Sequence, residues 1–210
     1  MKKKSTWEAT LNRSDFECAS TQTTHKGHYK VKILTLRHKL FSGEYSAWIS
    51  REFVLVPNSV AVLLYDPRQD LVVLVEQFRV GAIEATEHGP WLLECVAGYI
   101  EKDETPEQAA ARETLEEACC KIERLIPITQ CYTTPGGCSE MTWIYCGLID
   151  TNITDNVSKP CDEEEDIKKH IIRYEQLMAY KHNLITNSAT YIALQWLSIE
   201  RDKLRDLSYL

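Results

Sequence analysis

A sharply marked helix start in the middle of the chain is the feature that most limits the fold. Thr105 is a good N-cap, Pro106 suits the first helical position, and Gln108 completes a capping box. We therefore predict a helix from 105 to about 120. The segments on both sides of it are short and apolar or alternating, so the helix interrupts a series of strands.

The order of the predicted elements defines the fold class. Residues 1–25 are polar with little periodicity, and we expect them to form a loose arm. The segments 29–40 and 45–56 flank a turn at 42–44 and predict a hairpin. Helices are predicted at 174–182 and 187–207. Further strands are predicted at 60–65, 71–79, 91–97, 124–133, 141–149 and 166–173. This order is typical of an α+β fold and not of a regular βαβ array.

Composition excludes several classes of protein. The 210 residues include 24 Lys and Arg against 31 Asp and Glu, which gives a formal charge of −7. That charge argues against a nucleic-acid partner, and no apolar run is long enough to span a membrane. The basic N-terminus is not followed by the apolar stretch of a secretory signal. The eight cysteines form no C-x-x-C pair, so we expect reduced thiols in a cytoplasmic protein.

Three glutamates share one face of the predicted central helix. Glu113, Glu116 and Glu117 stand at positions i, i+3 and i+4, where like charges repel each other. A divalent cation among them would remove that repulsion, because Mg²⁺ and Mn²⁺ prefer oxygen ligands. Arg112 can pair with Glu116 and reduce the repulsion further. A solvated acidic face on an ordinary amphipathic helix is the alternative that helix spacing leaves open.

A second acidic cluster runs from Asp162 to Asp166, directly before the last predicted strand. Five consecutive acids are usually a solvated loop. The same loop could instead carry a carboxylate into a site, where it would take the proton of an attacking water as a general base. The residues alone leave both interpretations open.

The spacing of the charged residues resembles the Nudix box. In that box, G-x5-E-x7-R-E-U-x-E-E-x-G-U, U is a bulky aliphatic residue, and every charged position matches. Three other positions differ: Thr114 and Cys120 replace aliphatic residues, and Cys119 replaces glycine. A residue other than glycine costs about 1 kcal/mol if Cys119 keeps a left-handed conformation. The matching residues are Gly98, Glu104, Arg112, Glu113, Glu116 and Glu117.

The resemblance extends from about 26 to about 204 and favours the ADP-ribose pyrophosphatase branch of the Nudix hydrolases. It implies a Nudix fold, an α/β/α sandwich with a mixed sheet, at 57–210. It also implies an N-terminal arm and β-hairpin region at 1–56 that is exchanged between the subunits of a homodimer. The segments that carry it are 76–79, 90–94, 96–98, 134–137, 139–140, 162–167, 187–189 and 195–197.

The resemblance also implies the catalytic and metal-binding residues. Mg²⁺, with Mn²⁺ as a substitute, would be held by carboxylates and by the backbone carbonyl of Ala97. Glu163 would be the catalytic base, and Glu164 would have no role. The implied metal-binding carboxylates are Glu113, Glu116, Glu117 and Glu165.

Substrate contacts are implied in the same way. Val56 stands where related sequences often carry an arginine, so one polar contact differs from the family pattern. Tyr29 as an ordinary strand aromatic and Arg79 as a surface arginine remain alternatives. The implied contacts are His28, Tyr29, Arg51, Glu52, Arg79, Tyr99, Thr134, Pro135, Gly136 and Glu140.

The resemblance implies Mg²⁺-dependent hydrolysis of ADP-ribose to AMP and ribose 5-phosphate. The same chemistry on another nucleoside diphosphate sugar is the main alternative. A catalytically silent module that binds ADP-ribose as a regulator would usually lose box carboxylates and gain a DNA-binding domain. This chain keeps the carboxylates at 113, 116 and 117. A purely structural acidic protein is the last alternative.

Overall fold

The structure, a computed structural model, describes residues 8–84, 89–152 and 166–207. The chain divides into two compact units. The first comprises residues 1–56 with 134–139, and the second comprises 57–133 with 140–210. The predicted base Glu163 and the predicted metal ligand Glu165 lie outside the described residues.

The first unit is a three-stranded antiparallel sheet. Its strands are β1 (Phe16–Lys26), β2 (Lys30–His38) and β3 (Ile49–Leu55), in the order β1-β2-β3. The pairing of β2 with β3 confirms the predicted hairpin. The segment 134–139 joins β3 through backbone hydrogen bonds, because Val54 N–H donates to the carbonyl of Gly137 at 2.8 Å and Ser139 N–H to that of Val54 at 3.1 Å.

The expectation of a loose arm at residues 1–25 is wrong for its second half. Residues 16–26 form β1, which pairs along its length with β2. Every residue of β1 is exposed, so the strand has no buried face that could produce an alternating pattern in the sequence. Its threonines favour extended backbone, and cross-strand hydrogen bonds rather than burial determine its place.

The second unit is built on a seven-stranded mixed sheet. The path β10-β5-β4-β9-β8 forms its centre, β6 pairs with β5, and β7 pairs with β4. Only β4 and β9 run parallel among these pairs of described strands. The strands are β4 (Ser59–Asp66), β5 (Leu71–Phe78), β6 (Trp91–Glu94), β7 (Val96–Tyr99), β8 (Arg124–Tyr132), β9 (Met141–Leu148) and β10 (Lys168–Arg173).

Helices cover both faces of this sheet, which confirms an α+β fold with a mixed sheet. They are α1 (Pro106–Ala118), α2 (Tyr174–Leu184) and α3 (Ser188–Leu207). Strand β4 is buried along its whole length, and its side chains alternate between two cores. Val60, Val62 and Leu64 pack with Ala109, Ala110 and Ala118 of α1. Ala61, Leu63 and Tyr65 pack with Leu177 of α2 and with Ala193, Leu194 and Leu197 of α3.

No helix in the described ranges is both long and apolar enough to cross a membrane.

The single strand predicted at 91–97 is wrong, because the segment forms two strands. Strand β6 pairs with β5, and β7 turns away to pair with β4. The break falls at Cys95, whose backbone N–H donates to Oγ1 of Thr190 in α3 at 2.9 Å. A short, mostly apolar run carries no sign of this change of partner, which depends on a residue far along the chain.

Helix α1 begins and ends as its terminal residues predict. Thr105 and Gln108 form the reciprocal capping box, and Cys119 closes the helix at φ 51° and ψ 38°. Cys119 therefore keeps the left-handed conformation that a glycine adopts without strain. Thr114, the second departure from the box, is fully buried and donates its hydroxyl to the carbonyl of Ala110 at 2.7 Å.

We expect Cys119→Gly to raise the free energy of unfolding by about 1 kcal/mol, because glycine relieves the left-handed strain. Urea unfolding followed by circular dichroism measures the change. Cys119→Ala is the matched control, since it removes the thiol but keeps the Cβ. An equal gain in both variants would show that the thiol, and not the backbone conformation, is responsible.

Candidate active site

Two half-buried glutamates of α1, Glu113 and Glu117, face strand β7. The carboxylate of Glu117 accepts a hydrogen bond from the N–H of Ala97 at 3.1 Å and one from Nε2 of Gln77 at 3.5 Å. Burial raises the pKa of Glu117 to about 8, the negative charge of Glu113 adds to the effect, and Arg79 opposes it. Burial also raises the pKa of Glu113. Burial disfavours the charged form of both carboxyls, and a bound cation would offset that cost.

Gly98 is required by the position of Glu113. A Cβ on Gly98 would overlap the carboxylate of Glu113, at separations that no real side chain tolerates. The glycine lies in β7, directly after Ala97, and so lets α1 approach the strand closely. The box glycine therefore creates the space in which the Glu113 carboxylate lies.

Arg112 organises the other side of the acidic face. Its Nε and Nη2 donate to the two oxygens of Glu104 at 3.0 and 2.9 Å, and Nη2 also donates to the carbonyl of Tyr99 at 3.1 Å. Its Nη1 donates to Glu113 at 2.6 Å and to Glu116 at 3.1 Å. The predicted pair with Glu116 is thus present, and the Arg112 guanidinium lowers the pKa of Glu104.

The oxygen atoms around Glu117 are of the chemical type that binds a divalent cation. Carboxylate oxygens and a backbone carbonyl are the ligands that such ions take, and Ala97 uses its N–H, not its carbonyl, to hold Glu117. Within the described ranges, no three acidic, His or Cys side chains are grouped closely enough to hold a metal. Glu116 is turned to Arg112 with half of its side chain exposed, and the acidic run at 162–165 lies outside those ranges.

Arg79 is anchored beside this face by a buried carboxylate. Its Nε donates to Glu94 at 2.7 Å, and Glu94 is 3% exposed. The second oxygen of Glu94 accepts from Nδ2 of Asn187 at 2.9 Å. Sequence reasoning missed the roles of Gln77, Glu94 and Asn187. Each lies in a segment that carried the family resemblance, and that was the signal available.

Comparison with known proteins agrees with this geometry. The profile of the NUDIX domain matches residues 56–194. The chain belongs to the NUDIX family. It is 36% identical to the ADP-ribose pyrophosphatase of Escherichia coli (strain K12) over 198 residues, which is 94% of each chain. The ADP-ribose pyrophosphatase of Haemophilus influenzae (strain Rd) is also 36% identical, over 93% of this chain and 91% of its own.

A relative with a different name is similar over a shorter stretch. The GDP-mannose pyrophosphatase of Yersinia pestis (strain Pestoides F) is 30% identical over 145 residues, which is 68% of this chain and 71% of that protein. The family resemblance inferred from the box is therefore confirmed. Family members generally use divalent metals, in keeping with the donors around Glu117.

The first unit of this Nudix protein carries the predicted nucleotide contacts on two separate parts of its sheet. His28 and Tyr29 lie in the turn between β1 and β2, with their rings edge-to-face at 4.7 Å. Arg51 and Glu52 lie on β3, opposite Leu34 and Ile33 of β2. Four residue positions separate the two pairs along the sheet, about 13 Å, so within one sheet they are not neighbours.

Two further groups of predicted contacts lie between β8 and β9 along the chain. In the first unit, the carbonyl of Thr134 accepts from the N–H groups of Gly137 and Cys138 at 3.1 and 3.0 Å, which forms the turn that contains Pro135 and Gly136. In the second unit, Glu140 accepts from Oγ of Ser59 at 2.7 Å and from Oγ1 of Thr133 at 3.2 Å. These hydroxyls fix the orientation of the Glu140 carboxylate.

Proposed function

We propose that this Nudix protein hydrolyses the diphosphate bond of ADP-ribose to AMP and ribose 5-phosphate. The observation that carries the proposal is the half-buried pair Glu113 and Glu117, packed against Ala97 and Gly98. The substrate follows from the relatives named ADP-ribose pyrophosphatases, whose similarity extends over 94% of this chain. That coverage includes the first unit as well as the matched domain at 56–194.

Mg²⁺ would be held by the Ala97 carbonyl and by Glu113, Glu116, Glu117 and Glu165, with Mn²⁺ as a substitute. When bound, it neutralises diphosphate oxygens and lowers the pKa of a water. Glu163 takes the proton of the water whose oxygen forms the new bond to phosphorus. The bridging P–O bond breaks, and its oxygen leaves with one of the two monophosphates. Arg79 holds the phosphates through charge-assisted hydrogen bonds.

Hydrolysis of another nucleoside diphosphate sugar is the second candidate. The similarity to a GDP-mannose pyrophosphatase supports it, but that match covers 68% of this chain. The reacting diphosphate is the same in both substrates, so the acidic face does not distinguish them. We assign the choice of ADP-ribose to contacts outside that face, at His28, Tyr29, Arg51, Glu52, Tyr99, Thr134, Pro135, Gly136 and Glu140.

We expect turnover to need a divalent cation. Without one, nothing on the acidic face would neutralise the diphosphate oxygens or lower the pKa of the attacking water. Protein stripped of metal with EDTA should retain its circular dichroism spectrum and lose hydrolysis, and added Mg²⁺ or Mn²⁺ should restore it. A phosphatase-coupled phosphate-release assay measures the rates for ADP-ribose and GDP-mannose side by side. Full turnover after metal removal would contradict the proposed chemistry.

The first unit favours assembly into a homodimer. None of its described side chains is buried, and it leaves Phe41 91%, Trp48 48% and Tyr45 40% exposed. Covering these exposed aromatic side chains would stabilise the sheet, and a two-fold dimer is the commonest closed assembly. We infer that residues 1–56 are exchanged between subunits and that Arg51 serves the partner's site.

We place the enzyme in the cytoplasm, in keeping with seven described cysteines that form no disulfide.

A mixed dimer of two weakly active variants tests whether each active site is shared between the subunits. Arg51→Ala and Glu163→Gln should each be weak as homodimers. In a mixed dimer, both lesions fall in one site and leave the other intact, so the purified mixed dimer should recover at most about half of wild-type activity. Analytical ultracentrifugation measures the assembly. A fully active monomer, or mixed dimers without recovery, would reject the exchange.

A further inference from the structure

A chain of hydrogen bonds links the start of α3 to Arg79. Asn187 directly precedes α3, and its Oδ1 accepts from the backbone N–H of Thr190 at 3.0 Å and from the Thr190 hydroxyl at 3.1 Å. Its Nδ2 donates to Oε1 of Glu94 at 2.9 Å. The other oxygen of Glu94 accepts from Nε of Arg79 at 2.7 Å. One amide thus caps a helix and holds a carboxylate.

Glu94 depends on both of its partners. It is 3% exposed, and a buried carboxylate is stable only where donors and a positive charge compensate for lost water. Asn187 supplies a donor to one oxygen, and Arg79 supplies a donor and the charge to the other. The Arg79 side chain is 37% exposed, so it extends from this buried anchor toward solvent.

Arg79 lies next to the acidic face of the candidate active site. It follows β5, whose Gln77 donates to Glu117 at 3.5 Å. The charge of Arg79 also acts on Glu117, against the effect of burial on the pKa of that carboxyl. Because the guanidinium is planar, a carboxylate that holds Nε also fixes the plane of the two Nη groups. The orientation of Glu94 therefore sets the orientation of Arg79.

We propose that Asn187 is a positioning residue for hydrolysis, which acts through Glu94 to orient Arg79 toward the substrate phosphates. The inference rests on the proposed contact between Arg79 and those phosphates. Substitutions at position 187 can distinguish this positioning role from simple capping of α3. Asp is as good an N-cap as Asn, but it has no donor and would place a second negative charge against Glu94.

Asn187→Asp is therefore the informative variant. Its kinetics should be measured at saturating Mg²⁺, both as a single substitution and in an Arg79→Ala background. We expect Arg79→Ala to lower kcat/KM about 100-fold and Asn187→Asp to lower it about 10-fold, as is typical for hydrogen bonds to charged groups. In the Arg79→Ala background, Asn187→Asp should change kcat/KM less than about 2-fold, because its route to the substrate is already removed. Asn187→Asp should also lower the Tm, because it leaves one oxygen of buried Glu94 without its donor and adds a like charge beside it, so circular dichroism should first show that the variant is folded at the assay temperature.

Asn187→Ser is the second variant, because serine also caps a helix and adds no charge, while its short side chain does not replace the amide donor. It should lower kcat/KM in the wild-type background and not in Arg79→Ala. Equal losses from Asn187→Asp in both backgrounds would show a merely structural role and overturn the proposal. Arg79→Ala with wild-type kinetics would overturn the role of Arg79. A wild-type protein that hydrolyses neither ADP-ribose nor GDP-mannose would contradict the proposed function itself.

Discussion

Glu163→Gln should lower kcat for ADP-ribose hydrolysis by about 10²-fold to 10⁴-fold, the range that general-base catalysis contributes. The amide is nearly isosteric with the carboxylate but cannot take a proton from the attacking water. The rate of AMP formation at saturating substrate measures the loss. Because Glu163 is assigned as the base and not as a metal ligand, the Mg²⁺ concentration at half-maximal rate should stay close to that of wild type.

Glu164→Gln is the matched control in the same acidic run at 162–166. It makes the same chemical change one residue away and should leave kcat within about 2-fold, as is usual for a substitution outside the reacting groups. If the two variants were equally impaired, the assignment of roles along the run would be wrong. A loss in Glu163→Gln that excess Mg²⁺ restores would make Glu163 a ligand.

Gly98→Ala should lower kcat/KM by about 100-fold or more. The added Cβ would occupy the space of the Glu113 carboxylate, and that carboxylate has to move because the backbone of β7 is held by β4. A displacement of about 1 Å in catalytic geometry is enough for a loss of this size. Steady-state kinetics over a Mg²⁺ titration measures it, and the apparent Mg²⁺ affinity should fall as well.

Gly81→Ala provides the control for the loss of a glycine in the same unit. A Cβ on Gly81 would meet nothing within 4 Å, so this variant should retain wild-type kinetics. Circular dichroism should show that both variants are folded. Wild-type activity and Mg²⁺ affinity in Gly98→Ala would mean that the Glu113 carboxylate is not needed where the structure places it.

Local signals in the sequence predicted most of the second unit. Thr105 and Gln108 define the start of α1, and the continuous apolar run at 60–65 marks β4, which is buried on both faces. Strand β1 escaped prediction because none of its residues is buried. The break at Cys95 escaped it because the decisive partner, Thr190, is 95 residues away in the chain. Local pattern therefore predicts elements that bury a face, and it fails where a distant hydrogen bond decides.

The candidate site was also predicted only in part from the sequence. Glu113, Glu116 and Glu117 could be found because helical spacing places them on one face. The same spacing indicated the pair of Arg112 with Glu116, but it could not show that Glu117 packs against the backbone of Ala97. The supporting side chains Gln77, Glu94 and Asn187 belong to three other elements or their ends. Only the folded chain brings them to the carboxylates and to Arg79.

Product analysis of ADP-ribose hydrolysis tests the central claim most directly. Purified protein incubated with ADP-ribose and Mg²⁺ should give AMP and ribose 5-phosphate in equal amounts, measured by ³¹P nuclear magnetic resonance. The metal-stripped protein should form no products. At the same enzyme concentration, Glu163→Gln should form them at no more than about one hundredth of the wild-type rate. An unchanged ADP-ribose spectrum with the Mg²⁺-loaded wild-type protein, or release of ADP in place of AMP, would contradict the account.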